Sequence, residues 1–309
     1  MKKYLIIAFS LISFALYSSN YALVIGIGNY PDVDYGWPTI HGNNDISIIC
    51  EMLGVNGFPK ENITTLCDSQ ATYDAILSAF KDLETKLNKD DVVYIHFSGH
   101  GQRIADLDGD EFDKFDEAWV PYDALQEATY RYNAYHYNGE KHLIDDQLNK
   151  LLKNLRSKVG TKGKIVVVTD ACHSGTATRH LKGIETTEIV RGISEVFYIE
   201  IDGVIYEDYD FYNEKFTEEE LLKHSLEHPT EWVSISACAD NENNRQVTLK
   251  DGTRYGSLSY ALYLLRYKLK FLTIKKLRSV LQEEVNRLVS RLQTPQIDFS
   301  GNENQYLFR

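Results

Sequence analysis

Proline and cysteine are scarce in this chain, with six prolines and four cysteines among 309 residues. So few prolines exclude collagen-like and proline-rich architectures. The cysteines, Cys50, Cys67, Cys172 and Cys238, fall at spacings that fit no zinc pattern, and a domain of this size needs no disulfide staple. Cys50 and Cys67 read either as a bridge or as two buried thiols. Positive charge is also short: 33 Lys and Arg against 45 Asp and Glu leave a net charge of -12. That balance argues against a non-specific nucleic-acid binder, which works by displacing phosphate counterions with Lys and Arg. It leaves room for acidic pockets that attract basic ligands. Beyond the first residues, no apolar run is long enough to span a bilayer.

What the chain has is the composition of a globular protein, 43% hydrophobic and 25% charged, which excludes wholesale disorder. Its length fits about two domains or one large α/β unit. Lys2 and Lys3 precede Tyr4–Tyr17, an apolar stretch broken only by Ser10 and Ser13. This is the pattern of an export signal over residues 1–19, although Tyr17 is ill suited to a cleavage point near Ser18 and Ser19. The expectation is an exported protein, periplasmic or secreted, with no membrane association once mature; a buried first strand or helix is the competing reading.

Tyr21–Ile27, Asp91–Phe97 and Lys164–Thr169 are short, continuous apolar runs, as expected of strands buried on both faces. Ile63–Leu66 and Trp232–Ala237 read as further strands. Between them lie amphipathic helices over Asp45–Leu53, after a Thr72 cap, after Asp145 or Asp146 as a cap, and over Ser257–Lys268 and Thr273–Leu292. Strands alternating with helices predict an α/β fold with a mostly parallel sheet, whose sites lie at the carboxyl ends of the strands. Residues 184–230 differ: they hold 13 acidic residues against three basic ones and no sustained period, and read as an irregular, partly helical insertion or an acidic solvated face.

Two strands end in reactive loops, Ser98-Gly99-His100-Gly101 and Asp170-Ala171-Cys172-His173-Ser174-Gly175. A thiol attacks only as thiolate, and a neighbouring imidazole can take its proton and later protonate a leaving amine. Alone, each residue has a bland explanation, a core thiol or a loop histidine. Together, at matched strand ends, they point to nucleophilic catalysis.

These segments resemble the His and Cys boxes of the caspase-like peptidases, specifically the metacaspase branch of bacterial type, in the clan that includes gingipains and legumains. ALVIGIGNY at Ala22–Tyr30, GNND at Gly42–Asp45, FDEAWVPYD at Phe115–Asp123, IDDQL at Ile144–Leu148 and SISAC at Ser234–Cys238 carry the resemblance further. It implies a caspase-like three-layer sandwich, with a mostly parallel central sheet flanked by helices. Residues 20–183 would be the large-subunit region with the dyad, 184–230 an insertion, and 231–309 a small-subunit-like region completing the same domain. The implied reaction is peptide-bond hydrolysis. Cys172 would be the nucleophile, His100 the general acid and base, and the backbone N–H groups of Gly101 and Cys172 the oxyanion hole.

The resemblance also implies polypeptide substrates with Arg or Lys at P1, the residue whose carbonyl is attacked. Asp45 and Asp170, with Ser98, would bind that cation through bidentate hydrogen bonds and reject an acidic side chain. Asp45 could instead be a first-turn acid of a helix, and Asp170 a loop cap. Gly42 stands where many relatives carry cysteine. Self-cleavage at a basic residue in or near the insertion is expected, with Arg179, Lys182, Arg191 and Lys215 as candidates, and the chain would be a monomer. No cofactor is required; a calcium site at Asp116, Asp145 and Asp146 is conceivable, opposed by Arg179 where responsive relatives carry Asp. Asp106, Asp108 and Asp110 do not make an EF-hand loop, because Glu111 replaces its glycine. His96 and His173 read as structural, while His41 and the tyrosines Tyr130, Tyr132, Tyr135 and Tyr137 stay open between site and core. Two other classes compete: a catalytically silent caspase-fold binding or regulatory protein, and a clan relative with another P1 preference such as Asn.

Overall fold

The structure is a computed structural model that describes residues 18–31, 36–105, 115–126, 129–131, 135–172, 191–192, 197, 199–201, 204–206, 231–239, 242–290 and 293–308. The chain begins with β1 (Asn20–Gly26), α1 (Gly42–Val55), β2 (Ile63–Cys67), α2 (Tyr73–Lys86) and β3 (Val92–Ser98). Short strands follow: β4 (Gly101–Ala105), β5 (Phe115–Trp119), β6 (Thr129–Arg131), β7 (Tyr135–Tyr137) and β8 (Leu143–Ile144). Next come α3 (Asp145–Val159), β9 (Lys164–Asp170), the hairpin β10 (Ile199–Ile201) and β11 (Val204–Tyr206), and β12 (Glu231–Ser236). The last elements are β13 (Gln246–Thr248), β14 (Arg254–Gly256), α4 (Ser257–Leu264), α5 (Ile274–Leu288) and β15 (Gln296–Phe299).

The central sheet runs β15–β12–β9–β3–β1–β2. All its pairings are parallel except β12 with β15. Side chains alternate between its faces, as pleating requires. Ala22, Val24, Tyr94, Val166, Val168, Val233 and Ile235 pack on one side against α1, α4 and α5. Leu23, Ile25, Val93, Ile95, Phe97, Ile165 and Val167 pack on the other against α2 and α3. The result is a three-layer α/β sandwich with a mostly parallel sheet. Because β1 and β2 wind one way and β3, β9 and β12 the other, the chain reverses direction beside β1 and β3, where such sheets open a crevice at their carboxyl edge.

Several expectations meet their physical cause here. Thr72 and Thr273 cap α2 and α5, accepting from Ala75 and Lys276 N–H. Asp145 and Asp146 do not cap α3: Ile144 occupies that position, and the two acids lie in the first turn. The helix expected to run to Lys268 ends at Leu264, where the chain tightens into turns and the Asn56 side chain takes the Arg266 carbonyl at 2.9 Å. The last helix stops at Leu288, short of Leu292, and Ser290 adopts a left-handed φ of 55° that a helix cannot continue through. Of residues 184–230, Arg191 and Gly192 lie in a bend, Phe197 joins the edge of β4, and β10 pairs antiparallel with β11. Any helix in that stretch lies outside the described residues. So do residues 1–17 of the signal expected over residues 1–19, Asp106–Glu111, Tyr132, His173, Arg179, Lys182 and Lys215. Tyr137 is buried against Phe197 and His142, part of a small core rather than a groove.

Gly42 opens α1 directly over the strand ends. A Cβ there would lie 2.3 Å from the Ser98 carbonyl oxygen and 2.6 Å from that of Ile27. Backbone atoms cannot yield as a flexible side chain would, so α1 sits this close only because residue 42 is glycine. Gly42→Ala is therefore expected to destabilise the protein by roughly 1–3 kcal/mol, the range for overpacking, read from the urea unfolding midpoint. An unchanged midpoint would show that α1 does not depend on this approach.

Candidate functional site at the carboxyl edge of the sheet

Registration of three parallel strands places the site. Gly26 pairs with Ser98, and Ser98 with Asp170, so the last residues of β1, β3 and β9 lie side by side. Ser98 and Asp170 follow the alternation onto the face covered by α1 and α4. Two residues beyond each in the chain come His100 and Cys172.

Asp45, in the first turn of α1, is fully buried and accepts from Ser98 Oγ at 2.5 Å and from Gly256 N–H at 3.0 Å. Asp170, also fully buried, accepts from Asn244 Nδ2 at 2.7 Å through Oδ1. Its Oδ2 accepts from the Ser259 N–H at 2.8 Å and hydroxyl at 2.6 Å. Asp170 thus closes the N-terminus of α4, whose own cap position, Gly256, brings no side chain. Each carboxylate is thus fixed by donors from the surrounding backbone and side chains, and both also lie against one guanidinium.

Between them lies Arg191, a fully buried side chain from the acidic segment. Its Nη1 lies 2.7 Å from Asp45 Oδ2 and 3.6 Å from Asp170 Oδ1, and donates to Ser98 Oγ. Burial pushes the Asp45 carboxyl above its ordinary range, and the Arg191 guanidinium works against that. Burial likewise works to lower Arg191, but Asp45 and Asp170 outweigh it and hold the guanidinium protonated. The structure therefore brings Asp45, Ser98 and Asp170 together around a cation.

His100 stands in an aromatic box. Trp37 stacks on its ring with centroids 5.0 Å apart, Tyr30 lies at 5.2 Å, and the Tyr30 hydroxyl accepts from the His100 backbone N–H. His100 Nε2 is 2.8 Å from the Pro38 carbonyl oxygen. A carbonyl only accepts, so Nε2 carries the proton and Nδ1 the lone pair. Nδ1 is buried without a hydrogen-bond partner. Burial pushes the imidazole down to about 4, with the Pro38 contact opposing and Arg191 adding to the effect, so it is neutral at pH 7. The carbonyl that orients His100 belongs to a residue that sequence reasoning passed over; a backbone acceptor leaves no side-chain signature.

Cys172 is buried, and its Sγ donates to the Glu242 carbonyl at 3.3 Å. Its backbone N–H donates to the Arg191 carbonyl at 2.7 Å. The Cys238 thiol contacts that of Cys172, and this contact together with burial raises Cys238 far above the ordinary range. Gly101 opposes Trp119 in β5, in the ladder phase bracketed by the Val120 N–H to His100 carbonyl bond, which turns the Gly101 amide away from β5. His41 bonds Gln246 at 3.0 Å beside the pocket. His96 is structural, bonded within the core to Tyr94 and Ser259.

Asp116 is buried in β5, and Asp145 and Asp146 open α3. Asp145 has a buried Oδ1 without a hydrogen-bond partner, and burial and the Glu117 charge both raise it, a strain that a cation would relieve. Among the described residues, however, no group of three or more His, Cys, Asp or Glu is gathered closely enough to hold a metal ion.

A family model described as the metacaspase, peptidase C14 domain matches residues 20–180. Metacaspase III c of Phaeodactylum tricornutum is 36% identical over 176 residues, covering 54% of this chain and 46% of that protein. Metacaspase-1B of Neosartorya fischeri is 28% identical over 229 residues, covering 66% of this chain and 51% of that protein. This chain thus spans about half the length of these relatives. Among solved structures, one of a Geobacter sulfurreducens protein superposes with a TM-score of 0.59 at 21% identity, covering 94% of this chain and 98% of that one, a likeness of fold.

Three buried imidazoles make stability acid-sensitive. His96, His100 and His142 are each pushed down to about 4, burial being the first cause. An unfolded imidazole titrates near 6.5, so between these values the unfolded chain binds up to about three more protons than the native one. Stability is expected to fall as pH drops through this window, with a slope approaching about 4 kcal/mol per pH unit, partly offset by the raised Asp45. Urea unfolding at pH 7, 6 and 5 would show it, and His142→Gln should remove about a third of the slope. A flat profile would contradict buried, neutral histidines.

Proposed function

The chain belongs to the metacaspase, peptidase C14 family, and from that premise we propose that it is a cysteine endopeptidase that cleaves polypeptides after Arg or Lys. The observation that carries the proposal is the acidic pocket itself. Two buried carboxylates and a hydroxyl converge on a guanidinium beside a strand-end cysteine. An acidic P1 side chain would meet only like charge there, and a neutral amide would leave the carboxylates poorly satisfied.

In this reading the Cys172 thiol turns from the Glu242 carbonyl and gives its proton to His100 Nδ1, the ring nitrogen that the Pro38 carbonyl leaves free. The thiolate attacks the scissile carbonyl. The oxyanion so formed is met by the Cys172 N–H, and by that of Gly101, donors already fixed before charge develops. His100 then protonates the leaving amine, and water hydrolyses the thioester. Stacking on Trp37 holds the imidazole in place through both proton transfers. Among the described residues Asp116, Asp145 and Asp146 belong to no cluster that could hold an ion, and the steps above use none of them. Self-processing in or beside residues 184–230 and export belong to the same reading, as does a monomeric state.

Peptides differing only at P1, offered as Arg, Lys, Asp or Asn with and without millimolar calcium, test it. Arg and Lys peptides should be cleaved and Cys172→Ala should abolish turnover. Asp45→Asn and Asp170→Asn should each lower kcat/KM on Arg peptides by roughly 10²-fold, the scale of removing one partner from a buried charge pair. Turnover of Asp or Asn peptides would overturn the pocket, and no turnover in any arm would favour a catalytically silent caspase-fold protein.

A further inference from the structure

Resting on the reading of His100 as the residue that moves protons, we propose that Asp68 is a positioning residue for the peptidase reaction. Its carboxylate gathers both ends of the loop that boxes His100, and so fixes the imidazole with Nδ1 free.

Asp68 stands just past β2, the edge strand opposite β15. Its φ of 46° lies in the left-handed region, which a residue with a side chain keeps only where surrounding bonds hold it. Here they do. The Asp68 carbonyl accepts from the Ala71 N–H at 2.8 Å, and the Gln70 side chain accepts from the Cys67 N–H at 3.3 Å. In that conformation the carboxylate meets the chain leaving β1 and accepts four hydrogen bonds. Oδ1 takes the Gly28 and Asn29 N–H groups at 2.7 and 3.0 Å, where the loop begins. Oδ2 takes the Asn29 and Asn43 side-chain amides at 3.2 and 3.0 Å, and Asn43 lies in the first turn of α1, where the loop ends. The Gly28 carbonyl in turn accepts the Ile40 N–H at 2.9 Å. The two ends meet closely, for a Cβ on Gly28 would lie 2.2 Å from Asn43 Oδ1.

What lies between those ends is the setting of His100. Tyr30, next after Asn29, accepts the His100 backbone N–H at 3.0 Å and donates to the Val120 carbonyl at 3.0 Å. Trp37 stacks on the imidazole and donates to the Ala124 carbonyl at 3.0 Å. Pro38, two residues before Ile40, supplies the carbonyl that accepts from His100 Nε2 at 2.8 Å. Proline has no N–H with which to anchor itself, so the place of its carbonyl follows from the chain on either side. Asp68 fixes that chain at Gly28 and Asn29 before it and at Asn43 after it. A shift of about 1 Å in the Pro38 carbonyl would turn the ring and take Nδ1 off the path of the thiol proton, a misplacement that costs roughly 10²-fold in rate.

The test compares full-length wild type with Asp68→Gly, Asp68→Asn, Trp37→Leu and the double variant Asp68→Gly/Trp37→Leu. kcat and KM are measured on whichever P1 peptide wild type cleaves, with far-UV circular dichroism and urea unfolding to verify the fold. Glycine suits the left-handed φ while removing the carboxylate, so Asp68→Gly should stay folded. Its kcat should fall roughly 10²-fold, with KM within about twofold of wild type. Asp68→Asn keeps an acceptor for the two backbone amides and loses the one for the side-chain amides, and its kcat should fall by roughly 10-fold. Trp37→Leu should lower kcat as well, and in the double variant the two losses should not multiply, because both act through one loop. Losses that multiply would overturn the proposal, since a residue serving the fold elsewhere acts independently of Trp37. So would a folded Asp68→Gly with wild-type kcat, or one whose loss lies in KM. Should Asp68→Gly fail to fold, Asp68→Asn decides by the same criteria, and loss of the fold in both would overturn the proposal in favour of a purely structural residue. Each of these outcomes leaves the peptidase reading standing. A folded wild type that cleaves none of the peptides would overturn that reading and this proposal together.

Discussion

A carboxylate taken out of water must find donors or lose its charge, and Asp170 draws its donors from several parts of the chain at once. One oxygen takes the Asn244 side chain, the other takes the backbone and hydroxyl of Ser259 at the start of α4, and Arg191 lies against it. The end of β9, the loop before β13 and the first turn of α4 are thereby set relative to one another. Asp45 does the same from α1 by taking the Gly256 N–H. These buried acids thereby pin the helical layer onto the sheet edge. Removing either charge would disturb this architecture as well as the proposed specificity, which is why charge-neutral Asn variants are more informative than truncations.

Much of this was legible in the sequence because burial is written as pattern. Runs such as Tyr21–Ile27 and Lys164–Thr169 are apolar on successive residues, and only a strand covered on both faces needs that. The observed strands sit within a residue or two of those runs, and Thr72 caps its helix as a β-region threonine should. Helix ends were less legible. Nothing in the residue type marks Ser290 as left-handed, and the turn after Leu264 depends on Asn56, more than two hundred residues away in the chain. Ile144 at the cap of α3 shows local preference yielding to strand pairing, since the same residue belongs to β8.

The site divides along the same line. Side chains with distinctive chemistry, His100, Cys172, Asp45 and Asp170, stood out because acids and reactive groups at strand ends are unusual. The Pro38 carbonyl did not, since every residue has one and only the fold decides which faces an imidazole. Arg191 was one of four basic residues named as cleavage candidates, and no local feature separated it from Arg179, Lys182 and Lys215. What distinguishes it is three-dimensional: its side chain reaches acids contributed by α1 and β9.

The pocket is assembled from positions spread over most of the chain, Asp45, Ser98, Asp170, Asn244, Gly256 and Ser259, with hydrogen bonds spanning as many as 211 residues. Contacts of such long sequence separation form late, after loop closure has been overcome. A chain still emerging from the ribosome has Cys172 long before it has α4, and without α4 Asp170 lacks most of its donors. For the proposed peptidase the order of synthesis would therefore itself be a safeguard: an incomplete chain would carry Cys172 without the assembled acids with which to select a bond.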